Sequence, residues 1–249
     1  MNMILMYEEL ALNAHPALQT QFYDGWVLRF AKGYTKRANS INPIYPYTLN
    51  LHEKIMECEK KYAAHGLSAV FKLTDGSNQS IDRALEDHGY EIIDQDFIMS
   101  VSFLDKMILS GDCLITRYAD KEWLSAYNDF KHFSGTDFST AKKILENTKS
   151  PMICARLVKG GVSVACGTSV VDCGYAILLN VIVNEPYRGK GFGKVICESL
   201  MRSSLEAGAH TAFLQVMKNN HVAISLYEKL GFKVIYSDWY RVKKGNDQK

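Results

Sequence analysis

No stretch of this 249-residue chain reaches the roughly 18 consecutive apolar residues that a membrane-spanning helix needs. Its first residues, MNMILMYEELALNAHP, carry acids where a signal peptide carries positive charge and a small-residue cleavage site. These two absences lead to the expectation of a soluble, cytoplasmic protein with no membrane partner. A charge excess is missing too: 29 basic residues face 27 acidic ones, for a net charge of +2. A nucleic-acid binder shows a basic face or stripe, so nucleic acid is not expected as a partner. The six cysteines, Cys58, Cys113, Cys154, Cys166, Cys173 and Cys197, form no CxxC pair and mostly sit among apolar neighbours. Buried free thiols are expected, with no metal site and no disulfide. The length allows one large or two small domains with a real core.

Against these absences stands one dense string, NEPYRGKGFGKV, at residues 184–195. Its three glycines among cations suggest exposed backbone N–H groups meeting an anion. Three familiar phosphate loops do not fit it. A P-loop needs GxxxxGK followed by Ser or Thr, yet here its first glycine falls on Arg188 and Val195 stands at the hydroxyl position. A dinucleotide fingerprint needs a third glycine where Lys194 stands, and a kinase glycine loop fails on the same spacing. What remains is Arg-x-x-Gly-x-Gly between YAILLNVIV, apolar and β-branched enough for a buried strand, and residues 192–207, whose Val195, Ile196, Leu200 and Leu205 recur at helical spacing up to a stop at Gly208. Such a loop aims free N–H groups and the helix dipole at one point, which suits a phosphate or pyrophosphate.

The string VNEPYRGKGFGKVICESL, followed by NNHVAISLYEKLGF, resembles the two best-marked motifs of the GNAT acyltransferase superfamily, in the right order and at the usual separation. The resemblance covers roughly residues 113–243. It implies an α+β fold with a mixed sheet flanked by helices, and acetyl-coenzyme A as cosubstrate. It implies that Arg188, Gly189, Lys190, Gly191, Phe192, Gly193 and Lys194 hold the pyrophosphate, and that backbone groups of Val181, Ile182 and Val183 serve the oxyanion and the pantetheine arm. Asn220 would cap the following helix and touch that arm. Tyr227 stands where the family commonly has its proton-donating tyrosine.

Pattern reading gives the rest of this half: a strand at 113–118, helices at 121–133 and 139–148, and a hairpin turning at residues 159–161. Then come the strand at Tyr175, the loop and helix, a strand at 211–217, a helix at 221–230 and a last strand at 232–242. Shifting the sequence by 142 residues without a gap aligns Gly66 with Gly208, Phe71 with Phe213, Asn78 with Asn220, Glu86 with Glu228, Gly89 with Gly231, Ile93 with Ile235 and Asp96 with Asp238. About three identities are expected from composition alone. The expectation is therefore a degenerate GNAT-like domain at 1–103, a linker at 104–112 and a catalytic domain at 113–249, with PYTLNL at 46–51 replacing RGKGFG and so unable to bind coenzyme A. Residues 25–43 read as a hairpin that carries Arg29, Lys36, Arg37 and Asn39 on strands as a solvated face. The alternative is that this half lines the acceptor pocket and meets an anionic part of the substrate.

Acetyl transfer to a primary amine by direct attack, through a tetrahedral intermediate, needs a neutral amine, oxyanion stabilisation and a proton for the thiolate. Tyr227 is the expected acid, although Ala223, Leu226 and Leu230 share its helix face and packing alone also accounts for a tyrosine there. Tyr175, Tyr187, Tyr236 and Tyr240 read as core or surface aromatics. Many relatives keep a glutamate on the strand before the loop, whereas residues 174–184 offer only Asn180. Asp172 and Glu185 flank the strand and His132 lies on an earlier helix, none with a clear claim to act as base; a water chain to bulk solvent, or a group from the N-terminal half, is an equal alternative. An N-acetyltransferase is the leading expectation, as monomer or homodimer, and a non-catalytic coenzyme A binding regulatory or scaffold protein is the alternative. O-acetylation and longer acyl donors stay open within the same chemistry.

Overall fold

The computed structural model describes residues 3–103 and 112–243, so most of the expected linker, 104–111, lies outside the described residues. Two compact units divide the chain. The first comprises the residues up to Phe97 together with those from Tyr236 on, and the second is Ile98–Ile235. This division differs from one at 103 and 113, because the last strand joins the first unit.

In the first unit, helix α1 (Met3–Ala14) precedes the strands β1 (Gln19–Tyr23), β2 (Trp26–Phe30) and β3 (Ile41–Asn42). Helix α2 (Leu51–Ala63), strand β4 (Val70–Thr74), helix α3 (Gln79–Asp87) and the start of β5 (Tyr90–Ser102) follow. Strand β11 (Lys233–Lys243) returns antiparallel to β4, Tyr240 opposite Lys72 and Asp238 opposite Thr74. Alternation along β2 and β4 sends Trp26, Leu28, Phe71 and Leu73 to one face, where Ile55, Cys58 and Tyr62 of α2 and Ile81, Ala84 and Leu85 of α3 complete an apolar core.

Lys72, between Phe71 and Leu73, and Arg29, after Leu28, carry charge. Lys72 Nζ lies 2.6 Å from Glu8 Oε2 and 2.9 Å from Asp238 Oδ2, and the Tyr236 hydroxyl donates to Glu8 Oε1 at 2.9 Å. Lys72, Glu8 and Asp238 are buried, and an ammonium stays charged there because two carboxylates compensate its lost hydration. Arg29 corrects the expectation of a solvated face: it is 2 % exposed, and its guanidinium donates to the carbonyls of His15 and Arg37. Lys36 and Arg37 lie in a 3-10 turn rather than on a strand, and Asn39 Oδ1 accepts from Ala31 N at 2.7 Å and Gly33 N at 2.9 Å. Lys36 meets an ion partner, Asp94, at 3.1 Å.

In the second unit the strands β6 (Leu114–Thr116), β7 (Met152–Lys159), β8 (Val162–Asp172) and β9 (Tyr175–Val183) pair antiparallel in sequence order, and β10 (Thr211–Met217) adds on parallel to β9. The β7–β8 turn falls at Gly160 and Gly161, both at positive φ, as glycine permits. Helices α4 (Lys121–Lys131), α5 (Gly135–Asn147), α6 (Phe192–Glu206) and α7 (His221–Lys229) flank the strands. Helix α5 begins four residues before the expected 139, because Ser134 caps it by accepting from Asp137 N at 3.1 Å. The shift of 142 carries α3 onto α7 end to end, and places α2 inside α6 and β4 inside β10.

Candidate active site

The ladder between β9 and β10 joins Tyr175–Thr211, Ala176–Ala212 and Ile177–Phe213. Beyond it, the C-terminal part of β9 borders a cleft of about 1080 Å³ lined by Val181, Ile182, Val183, the loop before α6, the first turn of α6, and α7. Of the twelve residues expected in the site, Lys190 is the one that does not line this cleft; its ammonium lies 5.2 Å from the centre of the Tyr187 ring. Tyr187 does line it, although its sequence context reads as core or surface. Its place inside the glycine string is the available signal.

The loop has the backbone that an anion cradle requires. Gly189 and Gly191 have φ of +76° and +79°, values strained for any L side chain, although a Cβ at either would meet open space. Gly191 is the N-cap of α6 and provides no side chain to its first turn, so the N–H groups there face the cleft unclaimed by a capping side chain. Arg188 is exposed, its Nη1 3.2 Å from Glu185 Oε1 and its Nε donating to the Val183 carbonyl at 3.3 Å. Lys194 lies 3.5 Å from Glu198. Gly193 allows α7 to approach, since a Cβ there would lie 3.2 Å from Leu226 Cδ2.

Across the cleft, Asn220 caps α7 by accepting from Ala223 N at 3.2 Å, and Tyr227 sits two turns further along. The Tyr227 ring packs at 5.8 Å from that of Phe232. Burial pushes its phenol well above the ordinary value, and the nearby Cys197 thiol adds to the shift. The hydroxyl therefore stays protonated throughout the neutral range. Cys58, Cys154, Cys166 and Cys197 are buried and burial raises each to about 12, whereas Cys173 is exposed in a turn, against the expectation for it.

Strand β9 carries a feature that the string YAILLNVIV does not announce. Cys166 pairs with Ile182 and Thr168 with Leu179, so Gly167 alone stands opposite Asn180 and Val181: a β-bulge. Asn180 has φ of +55°. His132, considered as a base, is the left-handed C-cap of α4, and Glu185 is taken up by Arg188.

Comparison with known proteins gives the chain its family. The family model described as "Probable histone acetyltransferase Rv0428c C-terminal" matches residues 3–240. An "Uncharacterized N-acetyltransferase YobR" of Bacillus subtilis is 31% identical over 249 residues, which span 98% of this chain and 100% of that protein. The fold resembles a GCN5-related N-acetyltransferase from Kribbella flavida at a TM-score of 0.74 and 15% identity, over 99% of this chain and 97% of that one. It also resembles a tandem GNAT protein of clavulanic acid biosynthesis at a TM-score of 0.58 and 13% identity, over 72% and 65% of the two chains. With the glycine-turned helix start and a protonated tyrosine on one cleft, these likenesses identify the chain as an acetyltransferase of the GNAT N-acetyltransferase family.

Proposed function

We propose that the second unit transfers an acetyl group from acetyl-coenzyme A to a primary amine. One observation carries this reading: the uncapped first turn of α6, the end of β9 and Tyr227 line the same cleft. The first-turn N–H groups, the Arg188 guanidinium and the Lys194 ammonium suit a diphosphate by charge and donor geometry. The edge of Val181–Val183 offers main-chain groups to the amides of a pantetheine arm. When bound, the thioester supplies an activated carbonyl. Tyr227 then serves the sulfur side. Its phenol is a weaker acid than a thiol of ordinary pKa about 8.5, so it acts as a hydrogen-bond donor to the charge developing on sulfur and passes the proton on as water restores its own.

The first unit is read as a degenerate copy of the second. The coincidence of α2, β4 and α3 with α6, β10 and α7 under one shift supports this. A non-catalytic coenzyme A binder is the second reading, favoured by the absence of a carboxylate from residues 174–184. The experiment that separates the two follows thiol release from acetyl-coenzyme A with a panel of amines. Tyr227→Phe lowers the rate by roughly a hundredfold if the hydroxyl acts as acid, with affinity for coenzyme A unchanged. A protein that binds acetyl-coenzyme A yet releases no thiol with any amine is the binder instead.

A further inference from the structure

The bulge in β9 is braced from three sides by side chains that lie outside the cleft lining. Asn180 Oδ1 accepts the Tyr127 hydroxyl at 3.0 Å, and Asn180 Nδ2 donates to Thr168 Oγ1 at 3.1 Å. Thr168 Oγ1 in turn donates to the Leu179 carbonyl at 3.2 Å, on the near side of the bulge. Trp123 Nε1 donates to the carbonyls of Ala155 and Gly167 at 3.1 and 3.2 Å, which holds the facing strand at the same level. Tyr127 stacks on Trp123 at 4.9 Å, so helix α4 delivers both donors as one rigid unit. Beneath the bulge, a Cβ on Gly167 would meet Ile196 Cγ2 at 2.8 Å and Leu200 Cδ1 at 3.1 Å, so α6 packs directly against the single residue opposite.

Two properties select asparagine here. It tolerates a left-handed backbone better than most residues, and its amide both accepts from Tyr127 and donates to Thr168. Leucine or valine, which fill much of the rest of β9, would do neither. The next residues along the strand, Val181 to Val183, are those that line the cleft.

We propose that Asn180 is a positioning residue: with Tyr127 and Thr168 it locks the bulge that turns the Val181–Val183 main chain into the cleft, and thereby fixes how an acyl carbonyl is held. This rests on the acetyl-coenzyme A reading above. The role is distinct from that of a base, and it explains why an amide can stand at this place.

Calorimetry with the intact protein tests it without turnover, by comparing the affinity for acetyl-coenzyme A with that for coenzyme A, which lacks the carbonyl. The native protein should prefer the thioester by about three- to tenfold, the value of one well-placed hydrogen bond. Asn180→Gly keeps the left-handed backbone but removes the brace, and Tyr127→Phe keeps the ring packing but removes one hydroxyl. Each should bring the preference close to unity while affinity for coenzyme A stays within about twofold, and kcat should fall by at least roughly tenfold while KM for acetyl-coenzyme A rises by no more than the roughly three- to tenfold preference lost. Because both act through one bond, the double variant should be no worse than Asn180→Gly. A preserved thioester preference in Asn180→Gly, or a loss that runs in step with coenzyme A affinity and melting temperature, overturns the proposal. So does a native protein that binds both ligands equally. A native protein that binds neither sinks the acyl-donor reading as well, and the two failures are thus told apart.

Discussion

Residues 46–50 lead into α2 in the first unit as residues 188–191 lead into α6 in the second, yet only one of these helix starts is open. In the second unit Gly191 leaves the first turn of α6 without a side-chain partner. In the first unit Asn50 caps α2, accepting from His52 N at 3.1 Å and Glu53 N at 3.2 Å. Asp24 fills what is left. Its carboxylate accepts from Thr48 N at 3.0 Å, Leu49 N at 3.0 Å and Thr48 Oγ1 at 2.9 Å, and lies 2.9 Å from the buried ammonium of Lys54. The Leu49 N–H, followed by Lys54, holds its carboxyl well below the usual carboxylate range. Gly25 permits this closeness, because a Cβ there would lie 2.0 Å from the Pro46 carbonyl oxygen. The start of α2 is thus closed by more than its Asn50 cap: the first unit carries an anion of its own, Asp24, on a neighbouring hairpin turn.

The strongest way to break this contrast is to spoil the open start. Gly191→Val places a β-branched side chain at φ of +79°, and affinity for acetyl-coenzyme A should fall by roughly a hundredfold or more in calorimetry. A smaller effect is expected when the closed start is emptied. Asp24→Ala strips the carboxylate from the buried Lys54, so the melting temperature should drop by several degrees while acetyl-coenzyme A affinity stays the same. The pH dependence has a definite sign. A carboxyl depressed on folding contributes stability that is fully present above its unfolded value of about 3.9 and disappears only as pH falls through the lower folded value. Carbon-detected NMR of Asp24 should therefore give a midpoint below the ordinary aspartate range, and a midpoint at the ordinary value would contradict the geometry. The finest comparison is between the related caps. Asn78→Ala and Asn220→Ala should each cost about 1 kcal/mol in denaturant unfolding, but only Asn220→Ala should also weaken acyl-donor binding, because only Asn220 lines the cleft.

Much of the second unit is legible in the sequence alone. Strand β9 runs from Tyr175 to Val183 as its apolar run suggests, and the glycine string marks the cleft because glycine is placed by backbone conformation, which is local. What the sequence hides is non-local. Nothing near Asp238 says that β11 pairs with β4 across most of the chain. Arg29 reads as a surface charge in any single-sequence view, since its burial rests on the carbonyls of His15 and Arg37. Asp24 lies in the β1–β2 turn, and its second task depends on where residues 46–50 pass. Asn180 looks like a missing carboxylate in the string, and its bulge becomes visible only once α6 packs on Gly167 and α4 brings Tyr127 to it.

The pairing of β4 with β11 also sets an order of events during synthesis. Lys72 emerges from the ribosome long before Asp238, and at 5–20 residues per second the wait is roughly ten to thirty seconds. Over that interval the ammonium has Glu8 as its carboxylate, and β4 lacks the neighbour it has in the finished protein. The second unit is continuous in the chain but also waits for a late partner, because Ser100 at its start donates to the Ala212 carbonyl at 3.1 Å. The half that synthesis begins is thus also the last to close, because its final strand segment, from Tyr236 on, leaves the ribosome after every residue of the second unit.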